Sequence, residues 1–185
     1  WSYVGLSDWR INNNIYKLSE ACVGLNSYNE DSAWGQKWTS FDFVTSHEMG
    51  HSLGVMHANG WDCGDKTLYG NCVHVEYGNY FDTMGTATHA LHFNALYKEI
   101  LGWVKSNNRF LSINKSGRYS INTLEKDSGL NFAKIFISGS NDTPYYLEYR
   151  KAFGFDSNLK EPDISYNQTG LFINNAIKNV DGTVN

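Results

Sequence analysis

Three histidines and a glutamate constrain this chain more than any other feature. They stand as His47-Glu48-Met49-Gly50-His51, followed by Gly54 and His57. Ser40 reads as an N-cap, Asp42 suits the positive end of a helix dipole, and no proline interrupts the run to Leu53. A helix over about 41–53 follows from those signals. Residues four apart lie one turn above each other, so the imidazoles of His47 and His51 can reach one ion from one face. Glu48 is offset by about 100°, not a ligand itself but close enough to meet a water on that ion. A straight helix would carry His57 about 9 Å further along the axis than His51. Gly54 can adopt positive φ, end the helix and let the chain swing His57 back. Three neutral imidazoles with an open fourth position describe a catalytic zinc site rather than a closed structural one. Packing histidines or a solvated helix face explain none of this spacing.

Composition narrows the class. The chain has 185 residues, 41% of them hydrophobic, which is enough for a sizeable core. Fifteen basic against nineteen acidic residues leave a net charge of −4. No Lys/Arg-rich run appears, which argues against a nucleic-acid partner. No apolar stretch approaches the ~18 residues of a membrane span. The chain opens at Trp1 without a basic and apolar leader, which reads as a signal or pro-segment already missing. Cys63 and Cys72 bracket a short Gly-containing stretch that a disulfide could staple, leaving Cys22 over. Free thiols in a cytosolic protein are the alternative. Sequons at Asn114, Asn141 and Asn167 fit secretion, although an Asn-rich chain produces them by chance.

The texture changes near Val104 to Asn108. Beyond it, Phe110–Ile113, Tyr119–Leu124, Phe132–Ile137, Tyr145–Arg150 and Leu171–Ile173 read as strands bounded by Gly117, Gly129, Gly139 and the turn from Asn141 to Pro144. Alternation places Tyr145, Leu147 and Tyr149 on one face and Tyr146, Glu148 and Arg150 on the other. A second helix is predicted over Leu91–Leu101, with Phe93, Leu96, Ile100 and Leu101 apolar and Gly102 behind it. The expected architecture is α+β: a first unit over 1–106 and a small antiparallel β-rich module over 107–185.

The extended histidine motif resembles that of the metzincin zinc endopeptidases, in which a methionine-containing turn follows downstream. Asp82-Thr83-Met84-Gly85 is the matching turn, at about 82–85. The resemblance implies a zincin catalytic domain with Met84 as a structural floor under the imidazoles. His47, His51 and His57 would hold one Zn²⁺, and Glu48 would activate the zinc-bound water. Ala58 follows the third histidine, where other branches carry Asp, Glu or Ser. Thr86 stands where astacins and serralysins place a zinc-approaching Tyr, so that ligand is not available. Tyr80 to Gly85, Phe93-Asn94-Ala95, Leu101-Gly102-Trp103, Tyr145 to Arg150 and Gly154-Phe155-Asp156 look most like the gametolysin family. That resemblance implies a secreted endopeptidase acting on extracellular or cell-wall proteins, with protein or peptide as its partner. Thr86, His89 and Phe93 would line its side-chain pocket. Only 46 residues precede His47, so the usual N-terminal subdomain is expected to be trimmed, or the chain to be a fragment with an incomplete β module.

Other polar groups carry less. His89 and His92 read as surface or capping residues, and His74 as a loop residue. Asn59, Asp62 and Asp65 could offer oxygen ligands to Ca²⁺ but lack an EF-hand pattern. Trp34, Trp38 and Trp61 read as core or cleft wall. The competing function is a non-catalytic, zinc-stiffened module that grips glycoprotein or polysaccharide. An intact Glu48 weighs against it, since a purely structural site needs no general base. Oligomeric state is not legible in the chain.

Overall fold

The computed structural model describes residues 2–23, 41–66, 71–86, 90–104, 109–136, 143–160 and 169–175. Ser40, Trp34, Trp38, His89, Asn141 and Asn167 lie outside them, as does most of the expected boundary at 104–108.

Asn12 and Asn13 turn the chain back on itself. Both take positive φ, at 50° and 64°, as a two-residue type I′ turn requires and asparagine tolerates. They join β1 (Ser2–Ile11) to β2 (Asn14–Val23) as an antiparallel ribbon with Trp9 opposite Tyr16. This ribbon is absent from the expectations above, and the Asn-Asn pair is the signal that identifies it. It packs against α1, which spans Phe41–Ser52.

The end of α1 follows the expected course. Gly54 adopts φ +97°. Its N–H donates to the His51 carbonyl (2.9 Å) and that of Val55 to the Gly50 carbonyl (3.2 Å). These paired bonds form a Schellman motif, which reverses the chain and buries Val55 just past the turn. A second ribbon pairs β3 (Gly60–Asp62) with β4 (Val73–Val75), and the Cys63–Cys72 disulfide closes it immediately beyond the Asp62–Val73 pair. Cys22 is free.

Helix α2 spans Ala95–Ile100 and is shorter than the predicted Leu91–Leu101. Asn94 caps it, its side chain accepting from the Tyr97 N–H at 2.9 Å. The N–H groups of Leu91, His92 and Asn94 go to the side chains of Thr83, Asp156 and Asp82; the Ala95 N–H and the Leu91 carbonyl, which would pair in a helix begun at Leu91, go instead to Glu148 and the Thr83 hydroxyl. Ile100 is exposed and Tyr97 buried, so the apolar face is rotated from the predicted one. Gly102 ends the helix at φ +69°.

The last sheet has the order β5 (Phe110–Ile113), β6 (Phe132–Ile135), β7 (Tyr145–Arg150), β8 (Gly170–Asn175). It is mixed rather than antiparallel. β5 and β6 run parallel because residues 114–131 cross back instead of forming a hairpin. The predicted strand at Tyr119–Leu124 is reduced to one bridge, Thr123 beside Tyr149. β6 begins only opposite Glu148, so Thr123 fills the place next to Tyr149. The two faces of β7 fall as predicted, yet the buried one carries Tyr146, Glu148 and Arg150.

A single apolar cluster joins Val55, Ala58, Met84, Ala95, Leu96 and Tyr97 to Leu124, Phe132 and Tyr146. Residues on both sides of position 106 therefore contribute to one core. The architecture is mixed α+β and dominated by sheet. Among the described residues no helix is long and apolar enough to cross a membrane.

Candidate metal centre

Helix α1 sets His47 and His51 one turn apart, and the reversal at Gly54 returns His57 to them. Ring centroids lie 4.8 Å apart for His47–His51, 4.8 Å for His51–His57 and 5.4 Å for His47–His57. One ligand-capable atom from each falls within 4.8 Å of the others. Every Nδ1 is already engaged. His47 Nδ1 meets the Thr83 carbonyl at 2.8 Å, His51 Nδ1 the Val55 carbonyl at 2.9 Å, and His57 Nδ1 the Glu76 carboxylate at 2.9 Å. Carbonyl and carboxylate oxygens accept, so in the neutral ring each Nδ1 carries the proton and the lone pair falls on Nε2. Three lone pairs on a converging trio fit a divalent cation, and imidazole donors suit zinc among several first-row metals.

Burial holds His47 below the usual histidine range; the Thr83 bond partly opposes this, and the nearby His51 and His57 reinforce it. His47 is therefore neutral at pH 7, the form that ligates. Glu48 is buried on the adjoining flank of α1, and its charge acts on both His47 and Tyr77.

Met84 is fully buried, and its carbonyl accepts from the Ala58 N–H at 2.8 Å. A Cβ added at Gly50 would collide with the Met84 sulfur and press on the Phe93 ring. Met84 thus packs directly against α1 in the turn between His47 and His51. Its loop is held by Asp82, whose two oxygens accept from the N–H groups of Met84 (2.6 Å) and Asn94 (2.5 Å). Burial pushes the Asp82 carboxyl up to about 7, against the lowering effect of those two bonds and of Arg150.

Of the expected pocket residues, Phe93 lies under α1 against Trp103 and lines a cavity of about 440 Å³ with Asp42, Ser46 and Thr83. Thr86 is exposed, its N–H donating to the Tyr77 carbonyl at 2.8 Å. His89 lies outside the described residues.

Two site residues were not anticipated. Glu76 orients His57, as above. Tyr77 lies tilted against the His57 ring at 3.8 Å and stacks more distantly on that of His47 at 5.9 Å. It does so from φ 59°, a strained conformation for an aromatic residue. Asn59 holds it there, accepting from the Tyr77 N–H at 3.0 Å. Burial, then the charges of Glu76 and Glu48, raise the Tyr77 phenol and keep it protonated. Neither residue has a sequence signature, because both reach the centre through tertiary contact.

The oxygen groups weighed for calcium are spread through loop bonds. Asn59 serves Tyr77, Asp62 accepts from the Gly64 N–H at 2.9 Å, and Asp65 lies exposed beside Lys66. Among the described residues, the histidine trio is the metal-capable group of three. His92 is half-buried between Lys98 and Glu125, and His74 sits edge-on to Trp61. No protein family, curated protein or solved structure matches this chain.

Proposed function

We propose that this chain is a zinc-dependent endopeptidase. The reading rests on one observation: three imidazoles, each with its Nδ1 hydrogen-bonded, bring ligand-capable atoms within 4.8 Å of one another beside a buried glutamate. His47, His51 and His57 would hold the zinc ion, which would supply Lewis acidity to a water and to a substrate carbonyl. The Glu48 carboxylate takes a proton from the water that attacks the scissile carbonyl and delivers it to the leaving amine. Met84 supplies a rigid floor for α1.

The metzincin and gametolysin resemblance of the motif supports a protein substrate outside the cell. The Cys63–Cys72 disulfide fits an oxidising compartment. Glu48→Ala is expected to retain its metal and lose about 10²- to 10⁴-fold in casein or peptide hydrolysis. Metal content and turnover, each with and without a chelator, check both halves. Near-normal turnover in the loaded variant would remove Glu48 from the chemistry. A zinc-stiffened binding module would show no chelator-sensitive hydrolysis even in the unaltered chain.

A further inference from the structure

The buried face of β7 carries two ions, Glu148 and Arg150, beside Tyr146. Arg150 is fully buried and donates from Nε and Nη2 to the two oxygens of Asp156, each at 2.7 Å. It also donates from Nη1 to Glu148 at 3.1 Å and from Nη2 to the His92 carbonyl at 3.2 Å. Both carboxylates reach onward. Asp156 Oδ1 accepts from the His92 N–H at 3.0 Å, and Glu148 Oε2 from the Ala95 N–H at 2.6 Å. One guanidinium and two carboxylates from the last third of the chain thus grip the backbone on either side of Phe93.

That backbone leads to the imidazoles by two routes. In the first, the Leu91 N–H donates to Thr83 Oγ1 at 2.9 Å and the Thr83 hydroxyl donates back to the Leu91 carbonyl at 2.5 Å. The Thr83 carbonyl is the acceptor for His47 Nδ1. In the second, α2 begins at Ala95 and presents Tyr97, whose hydroxyl donates to the His57 carbonyl at 2.8 Å. The first and third histidines are each tied to the segment that Arg150, Glu148 and Asp156 hold.

We propose that Arg150, Glu148 and Asp156 are positioning residues of the metal centre, acting on His47 through Leu91 and Thr83 and on His57 through Tyr97. A buried ion triad is weak ground for stability by itself, since apolar residues of similar volume often stabilise as well. Here each carboxylate holds a backbone N–H that no apolar residue could hold. The sheet of the second half is then a part of the site, not an appendage to it. This inference rests on the histidine trio being a metal site.

The test uses the full chain and two probes, Zn²⁺ and Co²⁺ alone. Asp156→Asn keeps the size of the side chain but removes its charge, and Tyr97→Phe removes only the hydroxyl that reaches His57. Each is expected to weaken Zn²⁺ binding by about 10- to 100-fold, the usual effect of losing a partner that orients a ligand. Each should also shift the visible d–d bands of the Co²⁺ form, measured well below the variant's melting temperature. Lys151→Ala, an exposed neighbour outside the network, should change neither. Variants that melt earlier yet keep wild-type affinity and Co²⁺ bands overturn the positioning role while leaving the metal site intact. If Asp156→Asn does not fold, Tyr97→Phe decides alone by the same two readings. A wild-type chain that binds neither ion overturns both this inference and the proposed function.

Discussion

Glu76 converts His57 from a histidine on an irregular segment into a donor with one tautomer and a fixed ring plane. Glu76→Ala should therefore weaken Zn²⁺ binding by about 10- to 100-fold, while Glu76→Gln, whose amide oxygen still accepts, should retain most of the affinity. Titration against a competing chromophoric chelator ranks the three proteins; equal affinities would mean that the bond does not orient the ligand. The same residue marks the limit of what the sequence reveals about the site. His47, Glu48, His51 and His57 obey a local helical rule, and Gly54 carries the one conformational exception the rule needs. Their supports do not. Glu76 is 19 positions from His57, Thr83 is 36 from His47, and Tyr97 is 40 from His57. No periodicity spans such intervals, and Thr83 contributes to His47 through a backbone carbonyl that any residue would possess.

Among the elements, the β3–β4 ribbon has the clearest consequence. It delivers Glu76 and Tyr77 to the imidazoles, and its far end is closed by the Cys63–Cys72 bond. Reducing a loop of this length should cost about 2–3 kcal/mol of stability, with a lowered Zn²⁺ affinity as the ribbon loosens. Urea unfolding with and without reductant, on the metal-free and loaded chains, measures both; an unchanged midpoint would show the bond to be dispensable. Elements with strong local signals were legible: α1 from its spacing and the stop at Gly54, β7 from its alternation, and the end of α2 from Gly102. The β1–β2 ribbon was missed because its diagnostic is a pair of asparagines, not a glycine-bearing turn. The start of α2 and the parallel setting of β5 were missed for a different reason. Side chains distant in sequence, Glu148 and Thr83, take the Ala95 N–H and the Leu91 carbonyl, which would pair in a helix begun at Leu91. The β5–β6 direction depends on the path of a long connection that has no composition signature.

At the scale of the molecule, pH acts on metal binding and stability in the same direction. Burial lowers His47 below its reference value of 6.5. Between that depressed value and 6.5 the unfolded chain binds more protons than the native one, so stability rises with pH through this window and is lost as pH falls through it. Protonation also removes the lone pairs that ligate. Zinc occupancy and the thermal midpoint should therefore fall together as pH drops from about 7 to 5; full occupancy at pH 4 would point to other ligands. A different consequence follows from the reversal at Gly54. The donors come from one helix end and the bend beyond it, so bringing them together closes almost no loop and forfeits little chain entropy. An ion can be captured while most of the polypeptide is still uncollapsed, and can template the helix it will occupy. In a chain that binds the ion as proposed, the distant clamps would then close around a cation already in place.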